Sequence, residues 1–575
     1  MNNKEKRQVS RRDFLKGSGI AAAGLATAGL ATAGLAACNT SSDAKWDLEA
    51  EVVIVGFGGA GASAAIEAAD AGASVIVLEK SPENAHYCNT LMSGGLFHCP
   101  SRDGDPKELR EYLKAMFSGE NLPSKLEGES SPLYLDDIVD KFAEWSLEVC
   151  DFLTSLDPDI MFVDPGGPAF PDFPGAEKGG YRTFNTAYTE TPELYPTLDR
   201  PKMETARGLA LWNCLKIGIS ARADKVKVYW ETPGKSLIKN DAGEIIGVVA
   251  TQGGKEIRIK AAKAVLLTAG GYEYNEEMRR AFLEGPGITG WAFVGTTSNE
   301  GDGIAMACEV GAQLAKVGKS AARLIFCCPD VTHNGMPVGV QTGGVGTPGT
   351  IMVNATGKRF MNEALITSDP SRYFAYKEAV HMDIITLTYP NIPSYMIYDE
   401  TRRGSGPLVS LDMGSAAFGL FEWDVDNQIA VDRGWVLKGD TLEELADKIK
   451  NHPGNSQRFD KDIFLASMAQ YQEMVDTGVD NAFGRDPGRG FVAINTPPFY
   501  AMPLVCGGPN TKGGVQTDAE RRVVDWKNKV IPRLYSSGEM SSCFKFVYQG
   551  GGNITECLTF GRLAGKNAAA ETPWK

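Results

Sequence analysis

Histidine and paired cysteine are what this chain has least of: five histidines in 575 residues, and eleven scattered cysteines with no C-x-x-C pair. It therefore offers no zinc site of the paired-cysteine kind, and without a C-x-x-C-H run it offers no covalent haem attachment. Spacing alone neither supports nor removes an iron–sulfur cluster drawn from Cys88, Cys99, Cys327, Cys328, Cys506, Cys543 and Cys557. Buried apolar thiols are the simpler account of these residues. Positive charge is in deficit, with 58 Lys and Arg against 72 Asp and Glu, which argues against nucleic acid as a partner. Beyond residue 38 there is no long apolar run, so nothing further reads as a membrane span.

What is present begins with targeting. Ser10-Arg11-Arg12-Asp13-Phe14-Leu15-Lys16 is a twin-arginine start, and a weakly apolar Ala/Gly/Leu/Thr run leads to Leu35-Ala36-Ala37-Cys38, which looks like a lipoprotein box. Residues 1–38 are thus read as an export signal and 39–49 as a linker, with the mature chain outside the cytoplasm, periplasmic or tethered to the membrane through Cys38. Twin-arginine export carries proteins that fold first, which suits one holding a tightly bound cofactor. The remaining length exceeds one compact core and implies two large domains or a domain with an insertion.

Residues 51–61 read EVVIVGFGGAG, followed by a helix-like stretch to Gly72 and a second strand, SVIVLEK, bearing Glu79 at its tip. In such a unit Gly56 permits a tight turn, Gly58 lets backbone approach a pyrophosphate, and Gly61, next to Ala60, lets the helix pack closely on the sheet. Glu79 then stands where a carboxylate accepts hydrogen bonds from ribose hydroxyls. The unit predicts a bound dinucleotide without separating FAD from NAD. Further pieces of a nucleotide-binding sheet follow: strands at 226–229, 244–251 and 264–271 (AVLLTAGG), a helix start at Asp302, and Leu534-Tyr535-Ser536-Ser537-Gly538-Glu539 before the helix Leu558 to Ala570. The Pro- and aromatic-rich stretch from Asp157 to Pro201 reads either as pocket wall, through Tyr181, Phe184, Tyr188 or Tyr195, or as surface packing.

With Asn89-Thr90-Leu91-Met92-Ser93-Gly94-Gly95, Asn299 to Gly303, Gly357 to Glu363 and Thr511-Lys512-Gly513-Gly514, these segments resemble the flavoprotein family of soluble fumarate reductases, urocanate reductases and 3-ketosteroid dehydrogenases. The resemblance implies an α/β fold. A Rossmann-like FAD-binding domain is built from both ends of the chain (50–322 and 509–575), with an inserted α+β capping domain at 323–508. It implies non-covalent FAD, because Asn89 stands where covalently flavinylated relatives carry histidine. Carried over position by position, Glu79 and Asp302 would contact ribose or pyrophosphate. Asn89, Thr90, Gly94 and Gly95 would line the phosphates and ring edge, and Glu539, Asn553 and Ile554 the ribityl chain and pyrimidine end.

The departures from the fumarate enzymes bear on the substrate. At their histidine, arginine and proton-relay positions this sequence has Cys328, Thr342, Gly343, Gly346, Thr367, Pro509, Asn510 and Gln549. Two cations for a dicarboxylate are missing, while glycines 343 and 346 are expected to leave volume, so the expected substrate is a bulky, weakly charged alkene. The ketosteroid branch is the nearer likeness. It implies Tyr500 as the hydrogen-bond donor to a ketone and Tyr373 or Arg372 as the proton donor. In such chemistry hydride passes from flavin N5 to an alkene conjugated to a carbonyl; read backwards, the same groups desaturate. With no second dinucleotide motif, electrons are expected from another protein, a membrane-bound cytochrome or quinol-linked donor. The alternatives are a dehydrogenase, a reductase of a small acrylate, and a flavin-bearing binding lipoprotein.

Overall fold

The computed structural model describes residues 45–100, 105–118, 135–164, 173–184, 207–285, 290–320, 323–366, 377–418, 420, 422–544 and 551–574. The signal with Cys38, and the candidate proton donors Arg372 and Tyr373, lie outside these residues, as do Thr367, Tyr188, Tyr195 and Gln549.

The run Leu48–Val55 forms the first strand, flanked in parallel by Val75–Leu78 on one side and Lys255–Leu267 on the other. Val226–Tyr229 extends the sheet beyond Val75–Leu78, and Val530–Ser536 extends it beyond Lys255–Leu267, both in parallel. Segments nearly five hundred residues apart in sequence therefore share one sheet. Because side chains alternate across a strand, Val53 and Val55 enter one core while Val52 and Ile54 enter another, and both faces are buried. That is why its second half, residues 52–55, reads as an unbroken apolar run rather than an alternating one.

The helix Gly59–Asp70 leaves the first strand and packs against the C-terminal helix Gly552–Ala570. The crossing is close: a Cβ on Gly561 would lie 2.7 Å from the Ala60 carbonyl oxygen, and one on Gly565 2.2 Å from that of Ala64. Small residues bring the two helices together and set where their N-termini point. The C-terminal helix begins six residues earlier than the glycine-rich sequence suggested. Gly551 adopts a left-handed conformation (φ 77°) before the first turn, and a Cβ on Gly552 would stand 2.5 Å from the Phe544 ring. Glycine is required there for packing within the helix, not for a loop.

A second, seven-stranded sheet runs in the order Trp291–Phe293, Met336–Gln341, Arg323–His333, Phe499–Gly508, Ser394–Asp399, Ile351–Val353, with Leu437–Gly439 also paired to Phe499–Gly508. Beside it, Arg359 makes two hydrogen bonds to each of two buried carboxylates, Glu363 (2.9 and 2.8 Å) and Asp480 (2.9 and 2.7 Å). All three side chains are nearly inaccessible. The Arg-Phe-x-Asn-Glu run is thus a structural clamp. Replacing Arg359 by methionine removes the cation of Asp480 and leaves Glu363 only Arg485 Nη1 at 3.6 Å, and is expected to destabilise the protein by about 3–5 kcal/mol, read as a lower denaturant midpoint.

Tyr181 and Phe184, considered above as pocket wall, are core residues: the Tyr181 hydroxyl pairs with that of Tyr112 at 3.0 Å, and Phe184 packs on Phe97.

Candidate functional site

Two adjoining cavities meet at Asn89, Thr90, Glu539 and Cys557. The first is a groove of about 840 Å³, its open side included, running over the start of the Gly59–Asp70 helix. Its three signature glycines have different jobs. Gly56 has φ +102°, and a Cβ there would lie 2.6 Å from the Thr268 carbonyl oxygen; a Cβ on Gly61 would lie 2.1 Å from the Gly56 oxygen. Both are dictated by packing. Gly58 instead faces open space, its Cβ position meeting only Cys88 Cβ at 4.0 Å, and as N-cap it brings no side chain to the helix amides. A helix N-terminus whose N-cap brings no side chain, beside an empty approach, is what a pyrophosphate requires.

Ala60, Glu79, Asn89, Thr90, Asp302 and Glu539 line this groove. Thr90 Oγ1 accepts from the Gly59 N–H at 3.1 Å, fixing the loop against the helix start. The Glu79 carboxylate accepts the Phe57 N–H (3.0 Å) and the Ser81 N–H (2.8 Å), with His86 Nε2 at 3.5 Å. Burial alone would raise its pKa. The hydrogen bond and charge of His86, together with the two amides, overcome this and hold it at about 2. Asp302 opens the helix Asp302–Glu309, its carboxylate 2.7 Å from Lys80 Nζ.

At the junction of the cavities lies a polar cluster that the motifs did not reveal. Asn89 Nδ2 donates to Glu539 at 2.9 Å and to Glu273 at 3.4 Å, while Asn89 Oδ1 accepts the Thr296 N–H at 2.7 Å. Asn299 Nδ2 stands 3.3 Å from each carboxylate, and Thr511 Oγ1 3.4 Å from each. Burial, then the facing carboxylate of Glu273, holds the Glu539 carboxyl protonated well above the usual range. The only sequence signal for Glu273 was an acid just past the AVLLTAGG turn. An unfolded glutamate titrates near pH 4.3. Above that value the folded protein keeps a proton that the unfolded chain has lost, so stability declines as pH rises toward the raised folded value. Glu273→Gln removes the second cause, and its melting temperature is expected to fall less steeply with pH than the parent's from about pH 4.5 upward.

The second cavity, about 1280 Å³ including its open side, is lined by Gly94, Asn553 and Ile554 among the expected residues, and also by Arg207, Arg323, Gln341 and Asp412. Asn553 Nδ2 donates to Asn510 Oδ1 at 2.7 Å and its Oδ1 accepts from the buried Lys512 Nζ at 3.1 Å. Burial lowers the Lys512 pKa to about 8. The family positions for two dicarboxylate-binding cations are empty of charge, but the cavity gains arginines from elsewhere: they come from the helix Arg207–Ser220 and the strand Arg323–His333, at positions no family motif marks.

Other expectations are also corrected. Tyr500 lines neither cavity: its ring stacks on Tyr398 (5.4 Å) and its hydroxyl donates to Glu400 at 2.6 Å. It stands near the start of the strand whose far end leads to Pro509 and Asn510 at the cavity, roughly 3.3 Å of strand per residue away. Gly343 and Gly346 do not line the cavity either. A Cβ on Gly346 (φ +78°) would lie 2.2 Å from the Glu363 oxygen, so this glycine serves a turn. A Cβ on Gly95 (φ +66°) would lie 2.7 Å from the Arg207 backbone. Among the described residues, no group of three or more His, Cys, Asp or Glu is placed to hold a metal ion.

A family model described as the FAD binding domain matches residues 51–555. The chain belongs to this FAD-binding family. It is a flavin-dependent oxidoreductase, and its cofactor is FAD. Residues 8–28 match the twin-arginine translocation signal, which directs export across the cytoplasmic membrane. Among the described residues no helix is long and apolar enough to cross a membrane. The chain is 28% identical to a 3-oxosteroid 1-dehydrogenase of Mycolicibacterium smegmatis, over 91% of this chain and 97% of that one. It is 28% identical to a fumarate reductase (cytochrome) of Shewanella frigidimarina, over 90% and 77% respectively. The fold matches a 3-ketosteroid Δ1-dehydrogenase of Sterolibacterium denitrificans with TM-score 0.73 at 23% identity, covering 91% of this chain and 99% of that one.

Proposed function

We propose that the protein is an exported reductase of an alkene conjugated to a carbonyl, in a bulky steroid-, lactone- or enone-like molecule carrying at most one acidic group. One observation carries this reading: among the described residues, the cavity that adjoins the FAD groove holds Arg207 and Arg323 against the carboxylate of Asp412, its other acid, Glu539, being kept neutral by burial and the facing Glu273, among apolar walls that include Met92, Leu96, Val294 and Ile554. One surplus positive charge suits one carboxylate or a polarised carbonyl, and leaves a second buried carboxylate uncompensated. FAD, when bound, supplies hydride from N5 to the alkene β-carbon. The chain's own residues do the rest. The apolar walls exclude water, Arg323 orients the carbonyl or acid, and the N-terminus of the Gly552–Ala570 helix favours negative charge at the cavity floor. Protonation of the α-carbon is assigned to Tyr373 or Arg372; a tyrosine, with an ordinary pKa of about 10, gives up its proton more readily than an arginine.

Residues 323–508 are read as the cap, contributing Arg323, Gln341 and the 410–414 segment to the cavity. Export and the likeness to a cytochrome-type fumarate reductase support an external donor, a membrane cytochrome or quinol-linked protein, with Cys38 as a lipid tether. The likeness to 3-oxosteroid 1-dehydrogenase supports the reverse reaction as the second reading.

The test is anaerobic. Chemically reduced protein is mixed with alkenes grouped by size and charge, and oxidised protein with the matching saturated ketones. Reoxidation by neutral or singly acidic cyclic enones supports the proposal, and bleaching only by saturated ketones selects the dehydrogenase. Rapid reoxidation by fumarate in preference to the enones rejects the substrate reading.

A further inference from the structure

Cys99 follows the short strand Phe97–His98, its N–H bonded to the Gly180 carbonyl at 2.8 Å, and Cys150 lies in the first turn of the helix Val149–Leu156. Their sulfurs stand 2.8 Å apart, not far beyond the roughly 2.05 Å of a sulfur–sulfur bond. The adjacent pair Cys327–Cys328 has no such relation, since neighbours on a strand project to opposite faces. Cys99 is buried and Cys150 half-buried, so a reagent reaches the pair from the Cys150 side. The contact with Cys150, and the guanidinium of Arg182 on the neighbouring strand, favour the thiolate of Cys99, while Cys150 is held as the protonated partner.

We propose that Cys99 and Cys150 are an oxidisable pair that forms a disulfide once the folded protein has crossed the membrane. The twin-arginine signal takes the chain to a compartment where disulfides persist. The oxidant is the disulfide of a dithiol carrier. One cysteine thiolate attacks a carrier sulfur and releases the carrier's other sulfur as a thiolate. The second cysteine, losing its proton to that thiolate, then displaces the carrier and forms the Cys99–Cys150 bond, and the displaced carrier sulfur takes from water the proton that the first cysteine gave up on becoming a thiolate. Two electrons and two protons leave the pair, and the carrier departs as a dithiol.

The bond would fasten a strand that the flavin-side elements already grip. Thr555 of the C-terminal helix accepts the His98 N–H at 2.8 Å and donates to the His98 carbonyl at 3.1 Å, and the segment from Asn89 to Leu96 that lines the second cavity runs directly into this strand. Linking Cys99 to Cys150 therefore braces the wall of the flavin end against the helical layer.

The test uses FAD-loaded protein from two sources: exported with its own signal, and made in the cytoplasm without it, then exposed to oxidised glutathione. Unreduced samples are alkylated, weighed intact and mapped. The expected result is a mass lower by two hydrogens, a linked Cys99–Cys150 peptide, and a melting temperature that drops by several degrees on reduction. Cys150→Ser and the double variant Cys99→Ser/Cys150→Ser should melt where the reduced parent melts and be indifferent to reductant, with flavin content unchanged. Alkylation of both cysteines in both oxidised samples overturns the proposal, as does either cysteine bonded to a different partner, or a double variant as stable as the oxidised parent.

Discussion

Gly58→Val is expected to give a folded protein that purifies without its flavin. Gly58 has φ −89° and ψ −168°, an extended conformation open to any residue, and its Cβ position touches only Cys88 Cβ at 4.0 Å. A valine there strains neither backbone nor core. Its methyl groups occupy instead the space through which a pyrophosphate approaches the helix N-terminus. FAD affinity should fall by at least ~100-fold, about 2.7 kcal/mol, measured by flavin titration of the apoprotein, while circular dichroism and the apoprotein's melting temperature stay near the parent's. The neighbouring Gly61→Val is the contrasting case: its Cβ would lie 2.1 Å from the Gly56 carbonyl oxygen, so it should damage the fold itself. A yellow, stoichiometrically loaded Gly58→Val protein would remove the pyrophosphate from this position.

The second large effect is expected at Arg323. Its strand is held between Met336–Gln341 and Phe499–Gly508, with Arg323 opposite Gly507, so the side chain issues from a rigid sheet. It is half-buried, whereas Arg207 at the start of its helix is exposed and more strongly screened by solvent. A hydrogen bond to a charged group contributes about 1.5–3 kcal/mol. Arg323→Gln should therefore lower kcat/KM for a singly acidic enone by roughly 10- to 100-fold, with the neutral analogue affected less than about threefold. Arg207→Gln should cost the acidic substrate only a few-fold. Equal losses for acidic and neutral substrates would mean that Arg323 shapes the wall and reads no charge.

Much of the flavin half was legible before any coordinates. The glycine unit, the apolar runs 52–55 and 264–267 and the Asp302 helix start all express constraints between residues close in sequence, and each lies where it was expected. Reading failed where one residue type serves two ends. The helix expected from Leu558 begins at Gly552, because Gly551 caps it and Gly552 lets Phe544 pack against its first turn. Gly346 looked like room for a substrate and is room for the Glu363 carbonyl. Tyr500 fitted a family pattern, but strand pairing turns its hydroxyl to Glu400.

The sequence by itself determined the export signal and the dinucleotide unit, because turn geometry and side-chain alternation are local and leave their mark in short runs, while FAD in particular was implied by the family resemblance. Only the tertiary structure decided that Glu273 faces Glu539 across hundreds of residues, that Arg207 and Arg323 converge with Asp412 on one cavity, and that Cys99 meets Cys150. Those encounters depend on how distant strands register and how closely two small-residue helix faces approach. No stretch of neighbouring residues carries that information.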